Sequence, residues 1–201
     1  MELFKRPEKQ EIPTREALER RCAVARRDIL ILVGFTAVNL LLLLTKSNLY
    51  FLFSAYIPHM LVDLGMLMCG MHPEELYEVL YDAPYHSLEF TDKGFFFLML
   101  LIALFVLVWY FISWLCTKKK ISAGWLIFTL VYFGVDTLVM IFIGGISMDM
   151  LFDYVFHGWM IYSLVSGILA ARQLKNLPET VVEAVAYEPV PDVTEQLPPE
   201  E

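Results

Sequence analysis

The sequence predicts an all-α integral membrane protein: a four-helix transmembrane bundle with an outer re-entrant or interfacial helical segment. Of the 201 residues, 58% are hydrophobic and only 19% are charged, whereas a soluble domain is closer to half apolar and a quarter charged. Several uninterrupted apolar runs also approach the length of about 20 residues that a helix needs to cross a bilayer. Composition and run length therefore place the chain in a membrane.

Charge divides the chain into three regions. Residues 1–27 carry eight Lys and Arg residues and no apolar core of the signal-peptide type, which predicts a basic cytoplasmic juxtamembrane helix. Residues 28–172 form the predicted transmembrane bundle. Residues 173–201 are predicted to be an acidic, Pro-containing disordered tail, because seven acids and no Lys or Arg follow residue 176. The net charge of −8 reflects this tail and gives no reason to expect a nucleic-acid partner.

Four apolar stretches are long enough to be spans. They cover residues 29–44, 94–116, 122–145 and 149–171. On the last of them Ser163, Gly167 and Ala171 recur at every fourth position, a pattern of small residues that lets two helices approach closely.

The topology depends on residues 48–70, which are long enough to span but contain Pro58. If this stretch spans, the following loop, with six acids against one Lys, is cytoplasmic and the Lys run at 118–120 is outside. That arrangement opposes the positive-inside rule. We therefore expect residues 48–93 to be the outer re-entrant or interfacial segment of a multi-pass cell-membrane protein with both termini cytoplasmic. Five spans are the alternative, since short loops can break the charge rule.

Ionisable residues inside the predicted spans form the candidate site. Asp136 and His157 lie about 13 and 12 Å of helix from the same outer end, and Asp153 lies one turn before His157 on one face. His59 and Asp63, at helical i, i+4 spacing, enter from the outer side in the four-span topology. An ionisable group at membrane depth is a functional hypothesis by default, because its burial is costly.

Three roles are open to this cluster. His157, Asp153 and Asp136 could ligate a divalent metal such as zinc, although no cofactor is otherwise expected. The imidazole and the carboxylates could instead carry a proton or an ion, or Asp136 and His157 could simply neutralise each other as a packing pair. The three cysteines form no C-x-x-C motif, which excludes a zinc ribbon, and G-x-S-x-G is absent.

These roles define two function hypotheses. The first is a non-enzymatic membrane component, an accessory, sensor or transport-linked protein, with an outward-facing polar pocket built on the cluster. Its partners are the lipid bilayer and either another membrane protein or further copies of itself. The alternative is a metal-dependent intramembrane hydrolase in which His59 or Asp63 completes the site, since a catalytic metal needs at least three convergent ligands and an open position.

Three short features carry a resemblance: the basic start, the sequence FLFSAYIP after the first span, and the GGIS turn before the last. Over residues 26–175 the chain resembles small polytopic membrane proteins of Gram-positive bacteria, a group that brings no assigned activity. The His and Asp inventory also resembles that of the membrane hydrolase superfamily containing alkaline ceramidases. Those proteins use seven helices and a further His pair at i, i+4, which this chain lacks.

Overall fold

A computed structural model describes residues 14–47, 49, 51, 53–119, 122–145 and 147–177. Within these ranges every regular element is helical, so the predicted all-α class is confirmed. The helices are α1 (Arg15–Leu44), α2 (Tyr56–Met68), α3 (Glu74–Tyr81), α4 (Lys93–Lys119), α5 (Ala123–Gly144) and α6 (Leu151–Asn176), with single 3₁₀ turns at Tyr85–Ser87 and Met148–Met150. The first half of the predicted basic region and the predicted tail from residue 178 onward lie outside the described residues.

In the described part of the chain, four helices are long and apolar enough to cross a membrane: α1, α4, α5 and α6. This finding is compatible with a multi-pass membrane protein. Helix α2 is also apolar, but its 13 residues fall short of the length of about 20 that a span needs. The lateral surface of the bundle is suited to contact with lipid, because large apolar side chains such as Leu101 and Phe105 on α4 are more than 60% exposed.

Helix α1 joins the basic region to the first apolar stretch without a break. The Thr14 hydroxyl accepts a hydrogen bond from the Ala17 N–H and so caps its first turn. Two i, i+4 ion pairs, Arg15–Glu19 and Arg20–Glu16, follow on the exposed face. A good cap and these pairs favour helix through the charged residues.

The long helices pack in pairs, α1 on α6 and α5 on α6, and α2 packs on α4. The contact of α1 with α6 is close at Gly167, where a Cβ would lie 2.6 Å from the Cβ of Ala25. The Cys22 Sγ also lies 3.5 Å from the Gly167 carbonyl oxygen. This close approach is the one expected from the small residues of α6.

Tyr77 of α3 joins the loop that follows α2 to the C-terminal end of α2. Its buried hydroxyl donates to the Leu67 carbonyl oxygen at 3.0 Å and accepts the His72 N–H at 3.1 Å. Burial is the largest effect on the phenol and raises the pKa of Tyr77, which keeps the O–H available as a donor. The Tyr77 ring also packs edge-on against Phe90. These contacts hold the segment between α2 and α4 against the C-terminal end of α2.

Candidate functional site

The candidate site centres on Asp136, which lies in the middle of α5 and is 1% exposed. Its Oδ1 accepts the N–H of Ile57 at 2.8 Å, and its Oδ2 accepts the N–H of Tyr56 at 2.9 Å. Both donors belong to the first turn of α2, so the carboxylate caps the start of that helix from across the bundle. A helix N-terminus carries partial positive charge and favours an anion at this position.

The start of α2 needs such a partner because Ala55, at its N-cap, has no side-chain acceptor. The N–H of Ala55 itself donates to the Thr36 hydroxyl on α1 at 2.9 Å. Pro58 has no N–H, so the donors that a helix start normally leaves unpaired are all accounted for. The complete pairing explains how a helix can begin inside an apolar bundle, where each unpaired N–H would cost several kcal/mol.

Asn39 of α1 hydrogen-bonds two residues that precede α2. Its Oδ1 accepts the Phe51 N–H at 2.8 Å, while its Nδ2 donates to the Phe51 carbonyl oxygen at 2.6 Å and to the Ser54 Oγ at 2.8 Å. Asn39 is 2% exposed. The one strongly polar side chain of the first apolar stretch thus pairs with irregular backbone.

His157 of α6 is the third member of the site. Its Nε2 lies 3.3 Å from Oδ2 of Asp136, and the imidazole is 2% exposed. The Phe133 ring stacks on the imidazole with centroids 4.8 Å apart and planes 14° apart. The contact between Asp136 and His157 matches the depth argued from the sequence.

The partners of His157 fix how many protons this contact holds. Its Nδ1 is 2.8 Å from the Asp153 carbonyl oxygen, which can only accept, so Nδ1 carries a hydrogen. An unprotonated Nε2 facing an ionised Asp136 would place two acceptors against each other. Both contacts of His157 are hydrogen bonds at the same time only when one further proton lies on Nε2 or on the carboxyl group.

Asp153 contacts this pair through its backbone, whereas Asp63 pairs with a residue of the following loop. Asp153 is 9% exposed and contributes its backbone oxygen to His157. Asp63 pairs instead with His72, whose Nε2 lies 3.2 Å from Oδ1 of Asp63. Burial lowers the pKa of His59, and the neighbouring Asp63 carboxylate opposes that shift.

A metal site on His157, Asp153 and Asp136 would require that these side chains converge on one point. Across the described ranges, no group of three or more His, Cys, Asp or Glu side chains is close enough to hold a metal ion. This statement does not cover Asp149, whose side chain lies outside the described residues. The two oxygens of Asp136 are already occupied by the first turn of α2. Metal ligation by His157, Asp153 and Asp136 therefore stays a prediction that no contact favours.

A second buried carboxylate, Asp28 on α1, was not singled out from the sequence. It is 2% exposed, and its Oδ2 accepts the Ser163 hydroxyl of α6 at 2.6 Å. The Arg27 Nε lies 3.5 Å from Oδ1, but that oxygen has no hydrogen-bond partner. A signal was present in the spacing, since Asp28 lies three residues after Ala25 and four before Leu32, both fully buried.

Comparisons of the chain with protein-family models, with curated proteins and with solved structures gave no match.

Proposed function

We propose that this is a non-enzymatic membrane protein, a sensor or transport-linked accessory component. In this proposal its function depends on the attachment of α2 to the bundle, and that attachment depends on a proton. We call Asp136, His157 and the N–H groups of Tyr56 and Ile57 the α2 anchor. The observation that carries the proposal is the sharing of Oδ2 of Asp136 between the Tyr56 N–H and the His157 imidazole. Through that atom, the proton of the pair and the position of α2 act on each other.

Loss of the proton has a direct physical consequence for the anchor. Without it, Nε2 of His157 and Oδ2 of Asp136 are two acceptors 3.3 Å apart, and their contact becomes repulsive. The carboxylate or the imidazole must then move, and movement of the carboxylate removes the acceptor of the first α2 N–H groups. Proton release therefore favours detachment of α2, which is how a small polar site can drive a larger helix displacement.

In this proposal α2 is a re-entrant helix on the outer side of the cell membrane. Its N-terminus meets Asp136 about 12 Å of helix before the end of α5 at Gly144. Its C-terminus continues into the acidic loop of residues 71–93. The positive-inside rule supports placing this loop outside and both termini in the cytoplasm. Irregular backbone at membrane depth is tolerated where protein buries it, as Thr36, Asn39 and Asp136 do here.

The contacts of Asp136 and His157 favour a non-enzymatic role over a catalytic one. Each oxygen of Asp136 already accepts a hydrogen bond from α2, and no third ligand approaches His157 within the described ranges. We propose the lipid bilayer as the first partner, with another membrane protein or a second copy of the chain receiving the movement of α2.

The experiment is the pH dependence of the free energy of unfolding in detergent, measured for the wild-type protein and His157→Gln from about pH 5 to about pH 9. In the proposal the hydrogen bond between Oδ2 and Nε2 exists only while the extra proton is bound, so we expect the wild-type protein to be less stable without it, by about 1–3 kcal/mol. The glutamine amide carries permanent N–H donors, so the variant should lack this component.

The comparison is internally controlled, because titratable groups that interact with the pair, Asp153, Tyr56, Tyr110 and Tyr132 among them, remain in both proteins. Parallel curves for the two proteins would show that no proton is linked to the pair, and the proposed function would then be abandoned.

A further inference from the structure

The N-terminal part of α1 and the middle of α6 line a partly open cavity of about 200 Å³ that shares no residue with the α2 anchor. Two arginines of α1, Arg20 and Arg21, line it together with Val24. Helix α6 contributes two aromatic residues, Trp159 and Tyr162, and two serines, Ser163 and Ser166, of which Ser163 already donates its hydroxyl to Asp28. The cavity thus combines cationic, hydroxyl and aromatic groups.

These groups are ordered along the bundle. Ser166 lies level with Arg21, because a Cβ on the adjacent Gly167 would be 3.8 Å from the Arg21 carbonyl oxygen. Tyr162 and Trp159 come four and seven residues earlier on the same face of α6, which places them about 6 and 11 Å farther toward the outer end. The cavity is therefore polar at its inner end and aromatic at depth.

The aromatic part of the cavity is open to the side of the bundle. Tyr162 is 71% exposed and Trp159 is 42% exposed. At this depth the exposed apolar rings can contact the acyl chains of a lipid. A ligand at this position can therefore be polar at one end and apolar at the other.

The positive charge of the cavity favours a ligand whose polar end is anionic. Arg20 also bonds Glu16, Nη2 to Oε1 at 2.6 Å, but both side chains are more than 70% exposed and this pair is weak. The described lining residues include Arg20 and Arg21 and no Asp or Glu. A guanidinium binds phosphate oxygens through a planar fork of N–H donors, so the complementary group is a phosphate.

We propose that this cavity binds an anionic phospholipid of the inner leaflet. Arg21 and Arg20 bind the phosphate, the Ser166 hydroxyl bonds the glycerol region, and an acyl chain runs along Tyr162 and Trp159. Basic pockets between transmembrane helices on the cytoplasmic side have the chemistry that anionic headgroups require. The cavity shares no lining residue with the α2 anchor, although its deep end at Trp159 is two residues from His157, and the proposal does not depend on the proposed function.

The test is lipid retention by the purified full-length protein, measured by native mass spectrometry with added phosphatidylglycerol, phosphatidylcholine or inorganic phosphate. The variant Arg20→Gln/Arg21→Gln should bind phosphatidylglycerol about ten- to thirtyfold more weakly, because each surface arginine contributes a few-fold to binding of anionic lipid. The matched control is Arg172→Gln/Lys175→Gln, which removes two exposed positive charges from the end of α6 outside the cavity. The control should bind as the wild-type protein does.

Three results would overturn the site. Equal losses in both double variants would show general attraction to the basic end of the bundle. Equal retention of phosphatidylcholine would remove the headgroup selectivity, and competition by inorganic phosphate at the same concentration would indicate a free-phosphate site. Tyr162→Ala is the second variant: it keeps every charge and should weaken phosphatidylglycerol retention, whereas unchanged retention would exclude the acyl-chain contact.

Discussion

Two carboxylates are buried to the same extent in this bundle but are compensated in different ways. Asp136 is 1% exposed and Asp28 is 2% exposed. Asp136 has a backbone hydrogen-bond partner on each oxygen, and its Oδ2 also lies 3.3 Å from Nε2 of His157. Asp28 has one hydrogen bond, from Ser163, and its Oδ1 has only the longer contact with Arg27.

The difference shows what each carboxylate does for the fold. The partners of Asp136 are backbone groups 79 and 80 residues away in sequence, so they are in place only when α2 has entered the bundle. The partners of Asp28 are side chains, and Arg27, which is 63% exposed, can reach it from the bundle surface. Asp136 therefore specifies a tertiary arrangement, whereas Asp28 joins two helices that already pack closely.

The largest effect is expected for Asp136→Asn. The amide NH₂ replaces one acceptor with a donor that faces the N–H groups of α2, which leaves buried donors unpaired. We expect a loss of about 3–5 kcal/mol in the free energy of unfolding in mixed detergent micelles. Asp153→Asn is the control, because its side chain is also buried in α6 and its bond to His157 uses the backbone oxygen. Equal stability of Asp136→Asn and the wild-type protein would contradict the anchor.

A smaller effect is expected for Ser163→Ala. This change removes the single hydrogen bond to Asp28 and leaves a buried carboxylate with Arg27 alone, at a cost of about 1–3 kcal/mol in the same assay. Ser166→Ala, one turn along α6, is the matched control and should change stability little. If the two alanine variants have the same stability, the bond between α1 and α6 makes no net contribution.

The smallest effect is expected for Asp28→Asn. The amide oxygen can still accept the Ser163 O–H, and the substitution removes a charge that has only one hydrogen bond. We expect a change below about 1 kcal/mol. In the double variant with Ser163→Ala, the two changes should be non-additive, because both act on one hydrogen bond. A loss as large as that of Asp136→Asn would remove the distinction between the two carboxylates.

The sequence predicted the long helices and the matched depth of Asp136 and His157, because both follow from hydropathy and from the rise of a helix. It did not predict that Asp136 caps α2, since a contact between a side chain and backbone 80 residues away leaves no periodic signal. Asp28 was overlooked because it follows Arg26 and Arg27 and so resembles a surface charge. Only the close packing of α6 on α1 buries it.

The pairing of Asp63 with His72 was also not predicted from the sequence. Helical spacing put His59 and Asp63 on one face, and the hydrolase hypothesis required one of them to complete a site with His157. In the structure Asp63 pairs with His72 in the loop after α2. The ordered loop supplies a nearer partner, and loop geometry is the part of a membrane protein that hydropathy describes least.

The most direct measurement is amide hydrogen exchange at Ala55, Tyr56 and Ile57 in the wild-type protein and in Asp136→Asn, at one pH. The account predicts slow exchange of these amides in the wild-type protein and exchange about a hundredfold faster in the variant, with α4 still protected. Fast exchange of Tyr56 and Ile57 in the wild-type protein, or unchanged exchange in the variant, would show that Asp136 does not hold α2.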